Sequence, residues 1–255
     1  MRSTTFALGL ATVVAGAVLT AAPAQAATYG VTLTVSTSTA DIGKKVTLTG
    51  KVSGKGSAKK SVVIQRKTAK AWKTITTVTT SSKSTYSKAI TIRSTGAGVY
   101  RVAAKKSGAT STGYSPSRTV TGFRWLWLAD QPLLTTGQAF VNTTVRVLEK
   151  RYAHSIELSA FTNTSVVEWR LANACDRSDI GAALNNSSLG SEAVSVTTND
   201  GGKTIDAIAG AIQRVEGVSA STRTLGYSID NPDHNVLLVA PRVHCSVDQL
   251  PDPGV

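Results

Sequence analysis

From residue 31 to residue 122 the sequence repeats one kind of unit, a short run, in most cases with Val, Ile, Thr and Tyr alternating with polar residues, which Gly, Ser, Lys or Asp closes. The runs are VTLTVS (31–36), KVTLTGKV (45–52), SVVIQRK (61–67), WKTITTV (72–78), TYSKAITI (85–92), GVYRVAAK (98–105) and SRTVTG (117–122). A period of two gives each run one wet face and one buried face, a division that suits a pleated strand and not a helix. β-Branched side chains fit that pleated, half-buried surface. Seven short strands spaced by turns predict a β-sandwich of immunoglobulin type. The stretch holds no cysteine, so packing alone must keep it folded.

The second half opens with FRWLWLADQPLL (123–134) and shows strand-like stretches at 141–148, 155–161, 166–171, 180–184, 193–198, 203–208, 222–228 and 235–239. Between the fifth and sixth lies NDGG (199–202), whose residues accept the positive φ that tight hairpins need. DAIAGAIQRVEGVSA (206–220) has helical spacing, but Gly210 and Gly217 favour strand, loop, strand. Eight or more strands in this length predict a jelly-roll β-sandwich. The expectation is an all-β chain, with an immunoglobulin-like domain at 28–121 followed by a jelly roll at 122–255.

Charge divides the chain at the same place. The net charge is +13, yet residues 28–121 carry 17 Lys or Arg against one acid, Asp41, while residues 122–255 carry 10 against 14. Halves of opposite sign imply two modules with different partners. A basic field of this size exceeds what solubility needs and attracts polyanions. Outside a bacterium these are wall teichoic acids, other phosphate-bearing glycans and the membrane surface. The plain alternative is a soluble basic domain. Nucleic acid would bind through its phosphates in vitro, but no aromatic residues are interleaved with the lysines to stack bases, and export argues against it as a partner.

Export is read from the first 26 residues. Met1-Arg2 gives a basic start, FALGLATVVAGAVLTAA an apolar run, and Ala24-Gln25-Ala26 a small-x-small cleavage site, so residues 1–26 are expected to be a signal peptide and the protein to be secreted, extracellular or cell-wall associated. No later segment is apolar enough to cross a bilayer as a helix. In that compartment the two cysteines, Cys175 and Cys245, are expected to form a disulfide rather than a catalytic thiol, which would call for a partnered His in a pocket.

Residues 43–102, with the pattern strand, Gln-Arg-Lys, Trp-Lys-Thr, Tyr-Ser and Gly-x-Tyr-Arg-Val, resemble the small bacterial immunoglobulin-like domains of secreted actinobacterial proteins. That resemblance implies a spacer or adhesion domain without chemistry. In the second half, WLWLAD (125–130), RYAHSIEL (151–158), VEWRLANACDRSDIGAALNNSS (167–188), EAVSVTTNDGGKTI (192–205) and NVLLVAPRVHC (235–245) resemble the NPCBM family of carbohydrate-binding modules. By that resemblance NACDRSDIG is a turn between two core strands that Cys175 ties to the final strand. Asp176, Arg177 and Asp179 are then solvated turn residues or a local ion pair.

The sequence holds no Gly-x-Ser-x-Gly elbow, no His-Glu-x-x-His and no Cys-x-x-Cys, and Glu157 and Glu168 fall at solvent-side strand positions, so no catalytic residues, no metal site and no cofactor are expected. Asp230, Asn231 and Asp233, and Asn199 with Asp200, are read as turn formers in preference to calcium ligands. Sugar binding on a β-sandwich uses exposed aromatic rings beside polar groups. The candidates are Trp125, Trp127 and Tyr152, with Trp169 and Tyr227 behind them. Trp125 and Trp127 share a face of one strand, either as a platform for a sugar or as packing onto the sandwich. The expected function is a non-enzymatic protein that binds cell-wall or other extracellular glycan; the alternative is a structural or protein-interaction spacer with no sugar binding.

Overall fold

The computed structural model describes residues 27–137, 139–159, 164–185, 190–199, 201–215, 218–219, 221–230 and 233–252. The expected signal peptide, and Asn231 and Asp200 of the two turn clusters, lie outside them. The chain is all-β. Strands β1 (Gly30–Val31), β2 (Thr34–Val35), β3 (Thr39–Asp41), β4 (Lys45–Ser53), β5 (Ser61–Lys67), β6 (Trp72–Thr79), β7 (Thr85–Thr91), β8 (Gly96–Ala104), β9 (Gly113–Tyr114) and β10 (Arg118–Trp127) lead into a 3₁₀ turn at Leu128–Asp130. They are followed by β11 (Thr135–Gly137), β12 (Ala139–Val147), β13 (Lys150–Leu158), β14 (Thr164–Arg170), β15 (Cys175–Leu184), β16 (Ser191–Thr198), β17 (Gly201–Ile208), β18 (Gln213–Val215), β19 (Thr224–Asp230) and β20 (Val236–Cys245).

Three sheets build two sandwiches. A small sheet sets β1, β2 and β7 around β4; a long one runs β12-β13-β20-β10-β8-β5-β6 and also takes in β3, β9, β15 and β18; a third runs β11-β14-β19-β16-β17. The first core holds Val46, Leu48, Val62, Ile64, Tyr86, Tyr100 and Val102 between the small sheet and the near end of the long one. The second holds Leu126, Ile156, Trp169, Leu184, Tyr227 and Leu238 between the long sheet and the third. Both follow from the alternation: in β4 the inward positions Val46, Leu48 and Val52 have no exposed surface while their neighbours are wet. Strands β16 and β17 pair as the expected hairpin, with Thr198 opposite Gly201, Gly201 at φ +129° and Thr198 Oγ1 donating to the Gly201 carbonyl at 2.8 Å. The 206–220 stretch is strand, loop, strand in its described residues.

The two cores divide between Val120 and Leu126, yet no linker separates them. SRTVTG and FRWLW fuse into the ten-residue strand β10, which pairs with β8 through residues 118–122 and with β20 through 124–127. Gly122 permits this, since a Cβ there would stand 2.1 Å from the Ser94 carbonyl oxygen. Limited proteolysis under native conditions is therefore expected to spare 118–127, because a protease needs locally unfolded backbone; release of two stable fragments cut inside that stretch would contradict the continuous sheet.

The strand β15 corrects the reading of NACDRSDIG. Only Ala172 and Asn173 take the left-handed conformation of a turn, at φ +50° and +60°, and from Cys175 onward the chain is strand, paired with β20 along its length. Cys175 and Cys245 stand directly opposite each other and are disulfide-bonded. Among the described residues no helix is long and apolar enough to cross a membrane.

Candidate functional site

The long sheet turns one face to the second core and the other outward, and period two decides what each shows. On β10, Leu126 is buried inward while Phe123, Trp125 and Trp127 face out half-buried. On β20, Val243 and Cys245 are inward, Arg242 and His244 outward. Two β-bulges then break the alternation. Asp179 pairs with Arg242 and Gly181 with Val239, so β20 carries one extra residue there, and Ala240 sits at φ +46°. Cys175 pairs with Cys245 and Arg177 with His244, so Asp176 is an extra residue on β15. The first bulge lets both Val239 and Arg242 face out; the second brings Asp176 within reach of His244.

The result is two cross-strand rows, Trp125-His244-Arg177 and Trp127-Arg242-Asp179. The Arg242 guanidinium lies 4.6 Å from the Trp125 ring centre and 5.5 Å from that of Trp127, and Arg177 lies 5.5 Å from Trp125. The other side of the strip is closed by His154, whose ring stacks on Trp127 at 5.3 Å and whose Nδ1 is 2.9 Å from Asp130 Oδ2. Arg242 donates to Asp179 Oδ2 from Nε and Nη2 at 3.0 and 2.7 Å, and Arg214 donates to Oδ1 of the same carboxylate. Burial works to raise the Asp179 carboxyl, but the Arg242 hydrogen bond and the charges of Arg214 and Arg242 outweigh it and hold the pKa below its ordinary value. These links are thus made at any pH above the ordinary carboxylate range and give way only as pH falls through that lower value.

Beside this strip is a pocket of about 180 Å³ walled by Trp127, Tyr152 and Ile212, with Asp179, Arg214 and Arg242 supplying its polar groups. Tyr152 reaches it from β13, backed by the outward apolar cluster of Val145, Val147, Ala183, Leu237 and Val239. Of the sequence candidates, then, Trp127 and Tyr152 meet in one pocket and Trp125 lies next along the strip. Trp169 and Tyr227 are elsewhere: both are fully buried in the second core and pack edge to face at 6.2 Å, where burial drives the Tyr227 hydroxyl pKa upward. The alternation in PRVHC could have revealed Arg242, which shares the outward face with His244 opposite Val243 and Cys245.

The second feature of this face is His244, only 3% exposed. Its Nδ1 is 2.6 Å from Asp176 Oδ1 and its Nε2 is 2.8 Å from Asp41 Oδ1, and Phe123 stacks on it at 4.9 Å. Asp41 comes from the first sandwich, so this ring joins the two. A larger depression of about 550 Å³, between β15 and the 198–203 hairpin, is lined by Asp176, Arg177, Thr198, Lys203 and Ser219 and has no aromatic wall. No group of three or more metal-ligating side chains occurs among the described residues.

No family model and no curated protein matches the sequence. Among solved structures the chain is similar to the secreted serine protease VesC from Vibrio cholerae, at 10% identity and a TM-score of 0.31, over 83% of this chain and 50% of that one. The chain thus spans about half the length of that structure, and a likeness at this level carries over no activity.

Proposed function

We propose that the protein is a secreted, non-enzymatic binder of cell-wall or other extracellular glycan, an immunoglobulin-like basic domain followed by an NPCBM-like jelly roll whose glycan site is the Trp127–Tyr152 pocket. The observation that supports this reading most is the meeting, in one small pocket, of two aromatic side chains from different strands with the Asp179–Arg242 pair. An aromatic wall takes the apolar face of a sugar ring, and a fixed carboxylate and guanidinium take its hydroxyls. At about 180 Å³ the pocket is smaller than the roughly 300–1,000 Å³ of sites for drug-sized ligands, so it suits a single terminal or branching sugar ring. Trp125 extends the site as a neighbour along the strip, with Arg242 over its ring. The basic domain adds attraction to anionic wall polymers without any need for a nucleic-acid partner.

One observation favours the alternative of a spacer without sugar binding: the Trp125 and Trp127 rings already carry Arg242 and His154 against them. Binding to insoluble cell wall and to an array of neutral glycans separates the two. Tyr152→Ala and Trp127→Ala are each expected to weaken retention about tenfold, the equivalent of roughly 1.4 kcal/mol of lost stacking and burial, and that retention should yield to free sugar and not to salt. If wild-type protein is retained on no neutral glycan, the pocket is packing only and the spacer reading stands.

A further inference from the structure

The first sandwich has an open edge. There β6, the last strand of the long sheet, and β7, the outer strand of the small sheet, run near each other without pairing, and a groove of about 480 Å³ lies between them. Four cations line it: Arg66 from β5, Lys73 from β6, Lys88 from β7 and Arg93 from the segment that follows. Thr74, Thr76 and Thr91 add hydroxyls. Arg66 is directed by donating from Nη2 to Ser94 Oγ at 2.7 Å, and it stands directly opposite Lys73 in the strand register. Like charges facing each other across a ladder destabilise it. Lysines on β6 and β7 would serve to protect exposed strand edges, but Arg66 lies on an inner strand and Arg93 beyond the end of one, so edge protection does not account for the set.

No acid within the first domain balances these charges. Its one carboxylate, Asp41, is engaged by His244 and Arg177 at the junction with the second sandwich. None of the four cations forms an ion pair with any described residue. The counter-charge for this groove has to come from outside the chain.

The geometry points to the β6–β7 groove as a binding site for a polyol-phosphate chain, with Arg66, Lys73, Lys88 and Arg93 taking successive phosphates and the threonine hydroxyls taking the intervening polyol. This deepens the anionic-polymer part of the proposed function and rests on it. A chain of phosphodiesters fits better than a single anion because four cations with no carboxylate of their own call for several negative charges, and Lys88 and Arg93 stand five residues apart along the groove's β7 side. It fits better than nucleic acid because the one ring lining the groove, Tyr100, is 4% exposed and offers no face to a base.

The test uses the full mature chain and a defined oligomer of poly(glycerol phosphate), with binding measured across a salt series. Four phosphate contacts should give a slope of log K against log salt of about −3, at roughly −0.7 for each contact on a flexible single chain. Lys73→Gln with Lys88→Gln removes two exposed lysines from the groove; it should weaken binding at least about tenfold at low salt and cut the slope to about −1.4. Lys55→Gln with Lys105→Gln removes the same charge elsewhere on the domain and should change binding less than about twofold. Equal losses from the two pairs would show a diffuse field instead of a site and overturn the proposal. So would absence of binding, or tighter binding of a single-stranded oligonucleotide with the same number of phosphates, which would assign the groove to nucleic acid. Retention on neutral glycan, read on the same variants, tests the Trp127–Tyr152 pocket separately and should be unchanged by the Lys73 and Lys88 substitutions.

Discussion

Replacing Cys175 and Cys245 by serine together is expected to lower the stability of the protein by about 4 kcal/mol, the loop-entropy value for a link across 70 residues. In a chain of this size each kcal/mol moves Tm by roughly 2–4 °C, so the midpoint should fall by about 8–16 °C. The two strand ends would remain adjacent without the bond, because β15 and β20 pair from Cys175–Cys245 down to Leu184–Val236. What the disulfide removes is the freedom of the intervening segment in the unfolded chain, and that segment supplies β16, β17 and β19, three of the five strands of the third sheet. The effect should therefore appear in equilibrium stability of the second sandwich. Reduction of the wild-type protein under native conditions should reproduce it, and a double-serine variant with Tm within about 2 °C of wild type would show that the link does not constrain the unfolded state.

Much of this fold was legible in the sequence because most of its strands obey a period of two. Lys45–Ser53 and Trp72–Thr79 begin where alternation begins and end where turn residues stop it, whereas Ser61–Lys67 buries Val62, Val63 and Ile64 in succession and was legible from its β-branched residues. The Asn-Asp-Gly-Gly hairpin was legible for a different reason, the positive φ that Gly201 accepts. Alternation fails where the ladder itself is irregular. A bulge adds a residue to one strand and reverses which neighbours face out, and nothing in CDRSDIG or VAPRVH marks it, so a charged stretch of β15 looks like a turn. Plain alternation sets Arg242 beside His244 and Arg177 beside Asp179, so that part of the site could be read from PRVHC, but Asp176 reaches His244 only through the bulge on β15, which hid it, while the aromatic half, Trp125, Trp127 and Tyr152, could be named from residue type. The junction was hidden too. Gly122 ordinarily reads as a break between strands, and its role here depends on the close approach of Ser94, a contact across the fold.

That junction makes the second large prediction. His244 is nearly enclosed and has a carboxylate at each ring nitrogen, Asp176 from β15 and Asp41 from the first sandwich. Arg177 Nη2 also stands 3.3 Å from Nε2. Leaving a buried hydrogen-bonding group without its partner costs roughly 1–3 kcal/mol, and these two carboxylates keep over a third of their side-chain surface in water, at 37% and 40% exposed, so solvent takes up part of that loss. His244→Ala is therefore expected to cost about 2–3 kcal/mol, including the packing of the ring against Phe123 and Trp125. The more telling measurement is a double-mutant cycle with Asp41→Asn. If the ring couples the sandwiches, the two substitutions together should cost less than their sum by at least about 1 kcal/mol; additivity within about 0.5 kcal/mol would mean that the continuous strand β10 alone joins them. Calorimetry reads the consequence for the whole molecule. Wild-type protein should unfold in one transition, since β10 and the Asp41–His244 link both cross the junction, and His244→Ala, keeping only the strand, should let the first sandwich separate as its own transition.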